Sequence, residues 1–141
     1  MKNEVQVTFP ALIENASLAR LMVMGVLTPL DVDTQQLTEI KTVVSEAMTN
    51  AIIHGYEGNP HGLIELKIEL EDDRLAVMIK DNGVGIDDVE QAKQPLFTTK
   101  EEEERSGLGF MIMESFTDEF HVDSAPGVGT TVTFERKMVS K

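Results

Sequence analysis

The sequence predicts an α/β fold of the α+β kind, a two-layer sandwich in which a mixed, mostly antiparallel sheet carries its helices on one face. Three observations lead there. Apolar residues recur at three- and four-residue steps over Ala11 to Leu27 and Leu37 to Gly55, which is helical periodicity. Short apolar or alternating runs bounded by turn residues read as strands at Val5 to Phe9, Leu63 to Leu70, Leu75 to Lys80, Phe120 to Asp123 and Thr130 to Arg136. The chain has 141 residues, 41% of them hydrophobic, enough for one core and hence a single domain over residues 1–141.

Taken in order, Val5 to Phe9 (VQVTF) alternates and Pro10 ends it. In the first helix Leu12, Ile13, Ala16, Leu21, Met24 and Leu27 are expected to face the core. Arg20 is the one basic residue between Lys2 and Lys41, so it is either a candidate anchor for a protein partner or a snorkelling surface arginine. Thr28-Pro29 closes this helix, and Asp31 to Thr34 supplies caps for the next. In that second helix Leu37, Ile40, Val43, Val44, Ala47, Met48, Ala51 and Ile52 form the buried face. Glu46, Asn50 and His54, four apart, are expected to stack along one polar stripe.

Tyr56 to Gly62 is a loop, and Glu71 to Arg74 turns between the next two strands. The segment DNGVG (Asp81 to Gly85) follows the second of them. Residues Asp87 to Ser106 show little regular pattern, and a loop of about 20 residues inside a compact domain is often a lid. Ser106-Gly107-Leu108-Gly109 then opens a helix, Leu108 to Phe116. Ser124 to Gly129 turns between the last two strands, and Met1 to Asn3 and Val139 to Lys141 are expected to fray.

Composition excludes several classes. There is no cysteine, so neither a disulfide framework nor a thiolate metal site is available. No apolar run approaches the roughly 20 residues of a membrane helix, and the opening MKNEVQVTFP lacks a signal-peptide core, so a cytoplasmic protein with no membrane association is expected. Twelve basic against 25 acidic side chains leave a net charge of −13, which opposes direct binding to nucleic acid and favours a protein partner or simply solubility. The three histidines, His54, His61 and His121, are scattered, which argues against a histidine relay or metal cluster.

Several short features carry chemistry. Asn50 offers a neutral carboxamide oxygen suited to a hard cation such as Mg2+ already bearing phosphate oxygens, and Glu46 one turn away is placed to orient or deprotonate a nucleophile. Asp81 can accept from the exocyclic amino group of a purine, and Gly83 and Gly85 let backbone approach a flat ring. The hydroxyls and cations of Thr98, Thr99, Lys100 and Arg105 suit a phosphate-facing lid. Gly107 and Gly109 expose N–H groups at the positive end of a helix, where phosphate binds. Each feature alone also has an ordinary structural reading: solvated helix residues, a glycine turn, a glycine-rich helix entry.

The order of these features resembles that of the GHKL ATP-binding fold shared by histidine kinases, type II topoisomerases and heat-shock chaperone ATPases, over nearly the whole chain. LTEIKTVVSEAMTNAIIHGYE, QPLFTTK and ERSGLGFMIMESF are closest to the small anti-sigma serine kinases of Gram-positive bacteria, those of endospore formers in particular. The resemblance implies a serine/threonine kinase that binds Mg-ATP, holds a sporulation sigma factor inactive and phosphorylates a serine on an anti-anti-sigma protein, as a homodimer. It implies Glu46 as catalytic residue, Asn50 as Mg2+ ligand, and Asp81 with Thr130 as readers of adenine. Gly83 and Gly85 would line the adenine pocket. Ser106, Gly107, Leu108 and Gly109 would hold phosphates, with Thr98, Thr99, Lys100 and Arg105 beside them. No phospho-accepting histidine helix precedes the motifs, so a separate protein is the expected acceptor. The alternatives are a nucleotide-gated module that sequesters a partner without transferring phosphate, and the stress-response anti-sigma kinase of the same family.

Overall fold

The computed structural model describes residues 2–86 and 105–140. Five strands form one sheet: β1 (Lys2–Pro10), β2 (Leu63–Glu71), β3 (Arg74–Asp81), β4 (Glu119–Ala125) and β5 (Gly129–Lys137), in the spatial order β1-β2-β3-β5-β4. All four pairings are antiparallel, so the mostly antiparallel sheet expected from the sequence has no parallel pair among the described residues. Among the described residues three helices accompany it: α1 (Glu14–Leu27), α2 (Thr34–Thr49) and α3 (Arg105–Ser115). At its end α2 widens into a π-helical turn, Asn50–Gly55.

Period-two alternation sorts the strand residues between the two faces. Register places Val7, Leu66, Ile79, Val132 and Val122 in one row across the sheet, and Val5, Ile68, Val77, Phe134 and Phe120 in the next. Both rows lie on the face that the helices cover. The other face carries Glu65, Lys67, Glu69, Lys80, Thr131 and Thr133, each exposed or half-buried. The helices add Ala16, Ala19, Val23, Val26 and Leu27 from α1, and Ile40, Val43, Val44, Ala47 and Met48 from α2. Asp33 caps α2: its carboxylate accepts from the Gln36 N–H at 2.9 Å, an interaction worth about 1 kcal/mol.

The apolar face expected for α1 is only partly the observed one. Ala16 and Leu27 are buried and Met24 is packed against the core, but Leu12, Ile13 and Leu21 are exposed. The helix starts at Glu14, which leaves Leu12 and Ile13 outside it, and small Ala19 with Val23 lets α1 lie close to its neighbours. Leu21 projects from the far side. Of the residues expected to fray, Met1 and Lys141 lie outside the described residues, while Lys2, Asn3 and Val139 are held by backbone pairing or hydrogen bonds. Lys2 and Asn3 pair with Glu71 and Leu70 in β1, and Val139 exchanges two hydrogen bonds of 2.9 Å with the Gln36 carboxamide. Backbone pairing satisfies polar groups that fraying would leave to water.

Met48 is fully buried whereas Leu21 is 68% exposed. Met48→Ala is expected to lower the unfolding free energy by about 2–5 kcal/mol, and Leu21→Ala by less than about 0.5 kcal/mol, in urea titrations. Equal losses would overturn the assignment of the α1 faces.

Candidate functional site

The last row on the covered face of the sheet reads Phe9, Ile64, Asp81, Thr130 and Ser124 from β1 to β4. The apolar slab between sheet and helices therefore ends, at one margin, in three polar side chains contributed by three adjacent strands. Asp81 and Thr130 are the two buried polar residues among the described ones, at 4% and 9% exposure. The Asp81 carboxylate accepts from the Gly83 N–H at 2.9 Å. Burial pushes its carboxyl above the usual range, and backbone N–H groups of Gly83 and Thr130 pull partly back.

Gly55, at the end of the π-helical turn, closes on this carboxylate. A Cβ there would lie 2.7 Å from Asp81 Oδ1. Gly83 answers from the other side, where a Cβ would sit 1.9 Å from the Gly55 carbonyl oxygen. Gly85, at φ +76°, lies against the Ala125 carbonyl. The segment after Asp81 is then tied down through nearly every N–H it owns. Asn82 donates to the Tyr56 phenol oxygen at 2.8 Å, Val84 to the Gly55 carbonyl at 2.8 Å, and Ile86 to Ser124 Oγ at 2.8 Å. The Tyr56 hydroxyl donates in turn to the Leu63 carbonyl.

The other end of the π-helical turn carries Asn50, one turn after Glu46. Gly109 of α3 presses on both: a Cβ there would lie 2.7 Å from Glu46 Oε2 and 3.8 Å from Asn50 Nδ2. Asn50 Nδ2 is buried and makes no hydrogen bond. A carboxamide not tied down by its surroundings, beside one carboxylate, suits a cation that brings most of its own ligands. Among the described residues no cluster of three histidine or acidic side chains exists to cage a metal alone.

The six residues Asn50–Gly55 thus join two groups of side chains into one wall: Glu46, Asn50 and Gly109 at one end, and Asp81, Gly83 and Thr130 at the other. His54, the last residue of the polar stripe expected from the sequence, falls within this π-helical turn. Helix α3 starts at Arg105 rather than Leu108, so Gly107 lies inside its first turn and Gly109 beyond it. Arg105, Ser106, Gly107 and Leu108 supply the helix's first four N–H groups, which have no intrahelical acceptor. Thr98, Thr99 and Lys100 lie outside the described residues. Arg20 donates to Ser45 Oγ and Ser17 Oγ, both at 2.7 Å, so it reaches the residue next to Glu46.

Sequence reading passed over Gly55, Tyr56 and Ser124. A glycine followed by an aromatic residue at a helix end carries a weak signal, and a serine in a turn sequence carries none. Their importance comes from contacts spanning 26 to 38 residues of chain, Gly55 to Asp81 and Ser124 to Ile86 being examples.

The fold is thus an antiparallel sheet backed by helices, with a polar margin at one end of the slab between them. The family model of the histidine kinase-like ATPase domain matches residues 9–136. Solved structures agree on the fold. The catalytic domain of the histidine kinase ThkA superposes with a TM-score of 0.60 at 18% identity, covering 96% of each chain. A Mycobacterium tuberculosis protein with RsbU and RsbW domains gives 0.68 at 20% identity over 96% of this chain, which spans 32% of that one. Closer in sequence are the anti-sigma F factors of Bacillus licheniformis, 54% identical over 94% of this chain and 90% of the relative, and of Bacillus subtilis, 52% identical over 98% and 94%. That of Geobacillus stearothermophilus is 51% identical over 100% and 97%. The chain belongs to the histidine kinase-like ATPase family and, within it, to the anti-sigma F factors. No helix among the described residues is long and apolar enough to cross a membrane.

The raised Asp81 carboxyl has a pH consequence. The folded chain keeps this proton to higher pH than the unfolded chain, so Asp81 costs stability progressively as pH rises above the ordinary value of 3.8. The difference in unfolding free energy between Asp81→Asn and wild type should therefore move in favour of the variant as pH is raised from 3.8 toward neutrality, then level off. Urea unfolding at stepped pH measures it, and a flat difference would show that burial does not tax the charge.

Proposed function

We propose that this protein is an anti-sigma factor that binds ATP with Mg2+ and transfers the γ-phosphate to a serine of an anti-anti-sigma protein, over a single domain spanning residues 1–141. The observation that carries the reading is the shared wall: Glu46 and Asn50 at one end of the π-helical turn, Asp81 and Thr130 at the other, with the α3 N–H groups beside Gly109. Family membership supports the anti-sigma role, since the relatives are named for it.

In this reading Asp81 accepts from the adenine amino group, and Gly83 and Gly85 let the backbone pass close to the ring. Because Asp81 is buried, a base that fails to donate leaves part of a desolvated carboxylate's hydrogen-bonding capacity unmet, beyond what the Gly83 and Thr130 N–H groups supply. The N–H groups of Arg105, Ser106, Gly107 and Leu108 face the phosphates, with Gly109 just beyond them. Thr98, Thr99, Lys100 and the Arg105 side chain supply hydroxyls and charge at the γ-phosphate. Asn50 would hold Mg2+ together with the phosphates, and the cation would neutralise charge that otherwise repels a nucleophile. Glu46 takes the proton of the acceptor serine as its oxygen attacks the γ-phosphorus and ADP departs. Arg20, reaching Ser45, stands where an acceptor or a sigma factor approaching Glu46 would meet it. The functional unit is a homodimer in the cytoplasm.

Two substitutions separate the parts. Glu46→Gln is expected to keep ATP affinity within about threefold while phosphoryl transfer falls by roughly 100-fold or more. Asp81→Asn is expected to lose ATP binding itself. The assay is incubation with γ-labelled ATP and Mg2+, a candidate anti-anti-sigma protein and a candidate sigma factor, reading label on serine and ATP-dependent capture of the sigma factor. Capture without label transfer would replace the kinase reading with a nucleotide-gated sequestering module.

A further inference from the structure

Ser124 lies at the end of the polar row and has no part in the reading above. Its hydroxyl is saturated. A serine hydroxyl has one hydrogen to give and two lone pairs to fill. The hydrogen goes to the Gly129 carbonyl at 2.9 Å, because a carbonyl can only accept. One lone pair takes the Ile86 N–H at 2.8 Å. The remaining contact is with Thr130 Oγ1 at 2.8 Å, and with the Ser124 hydrogen already used, Thr130 must be the donor. The Thr130 hydroxyl hydrogen is thereby turned toward Ser124. What Thr130 has left is lone pairs.

Thr130 is paired across the sheet with Asp81 on one side and with Ser124 on the other. The margin therefore presents two acceptors, the Asp81 carboxylate and Thr130 Oγ1, and no side-chain donor from this row. We propose that Ser124 is a positioning residue that sets nucleobase choice: by holding Thr130 as an acceptor it favours a purine bearing an amino group at position 6 and disfavours one bearing a carbonyl there. An amino group has two hydrogens for these acceptors, whereas a carbonyl oxygen would face like partners. Without Ser124 the Thr130 hydroxyl is free to rotate and donate. This inference rests on the nucleotide reading given above and adds the residue that makes it selective.

The test compares ATP with inosine triphosphate, which carries a carbonyl in place of the amino group, by equilibrium dialysis with Mg2+ on the full chain. Wild type is expected to prefer ATP. Ser124→Ala should reduce that preference by about tenfold, as loss of a positioned polar discriminator does. Ser124→Thr, which restores the hydroxyl on a residue suited to a strand, should keep it. Ser124→Cys, close in size with a weak donor and acceptor, should lose it as Ala does and serves if the Ala variant does not fold. Because Ser124 acts through Thr130, Thr130→Val should show the same reduction, and Ser124→Ala added to Thr130→Val should change the preference no further.

A structural role alone would weaken both nucleotides equally and leave the preference intact, and that result would overturn the proposal. Effects of Ser124→Ala and Thr130→Val that simply add would overturn it as well. If wild type prefers ATP and Ser124→Ala keeps the preference, only the role of Ser124 falls. If wild type retains neither nucleotide, the nucleotide reading falls and this inference with it.

Discussion

A carboxylate buried at the edge of an apolar slab is the constraint on which the rest of this structure depends. Asp81 sits in register with the hydrophobic residues of β3, one step beyond Ile79, yet it carries a charge that its surroundings penalise. A charge in that position is tolerated only if hydrogen bonds compensate and water is kept from reorganising the margin. The chain meets this with backbone rather than side chains: the Gly83 and Thr130 N–H groups serve the carboxylate, and Gly55 covers it. Each of these demands a particular geometry from a different element.

Those demands explain the irregular backbone. An α-helix continued through Asn50–Gly55 would present its residues at a different angle to β3 and to the segment that follows it. The π-helical turn delivers the Gly55 carbonyl to the Val84 N–H, and Tyr56 to the Asn82 N–H, in consecutive residues. Such turns cost hydrogen-bond geometry and persist where a site makes use of the altered direction. From the opposite side, Ser124 holds Ile86 and Gly127 donates to the Val84 carbonyl at 2.7 Å. The segment after Asp81 is suspended between two anchors, so a base meeting Asp81 meets a preorganised edge and pays little to order it.

The far margin of the same slab is polar for a structural purpose. Arg136 closes the inner face of β5, pairs with Glu39 of α2 at 2.9 Å and donates to the Phe116 carbonyl beyond α3 at 3.2 Å. One guanidinium thus ties the sheet to two helices at the end remote from Asp81. With both margins pinned and the rows between them fully apolar, α2 has little freedom to tilt, which keeps Glu46 and Asn50 at a constant height above the sheet.

Much of this was legible in the sequence because it follows from local rules. Periodicity and turn residues located three helices and five strands; the Asp31 to Thr34 segment announced a cap for α2, which Asp33 supplies; and the order of Glu46, Asn50, Asp81, Gly107 and Gly109 resembles that of a known ATP-binding fold. Those signals depend on residue type and spacing along one element. The strand order β1-β2-β3-β5-β4, the outward turn of Leu21 on α1 and the π-helical turn at Asn50–Gly55 were not legible, because each depends on which neighbour an element meets. Gly55, Tyr56 and Ser124 belong to that second class. Their glycine, phenol and hydroxyl are unremarkable in the chain and acquire meaning only where β3, β5 and the π-helical turn converge, since a buried charge is balanced by contacts in space and not by adjacency in sequence.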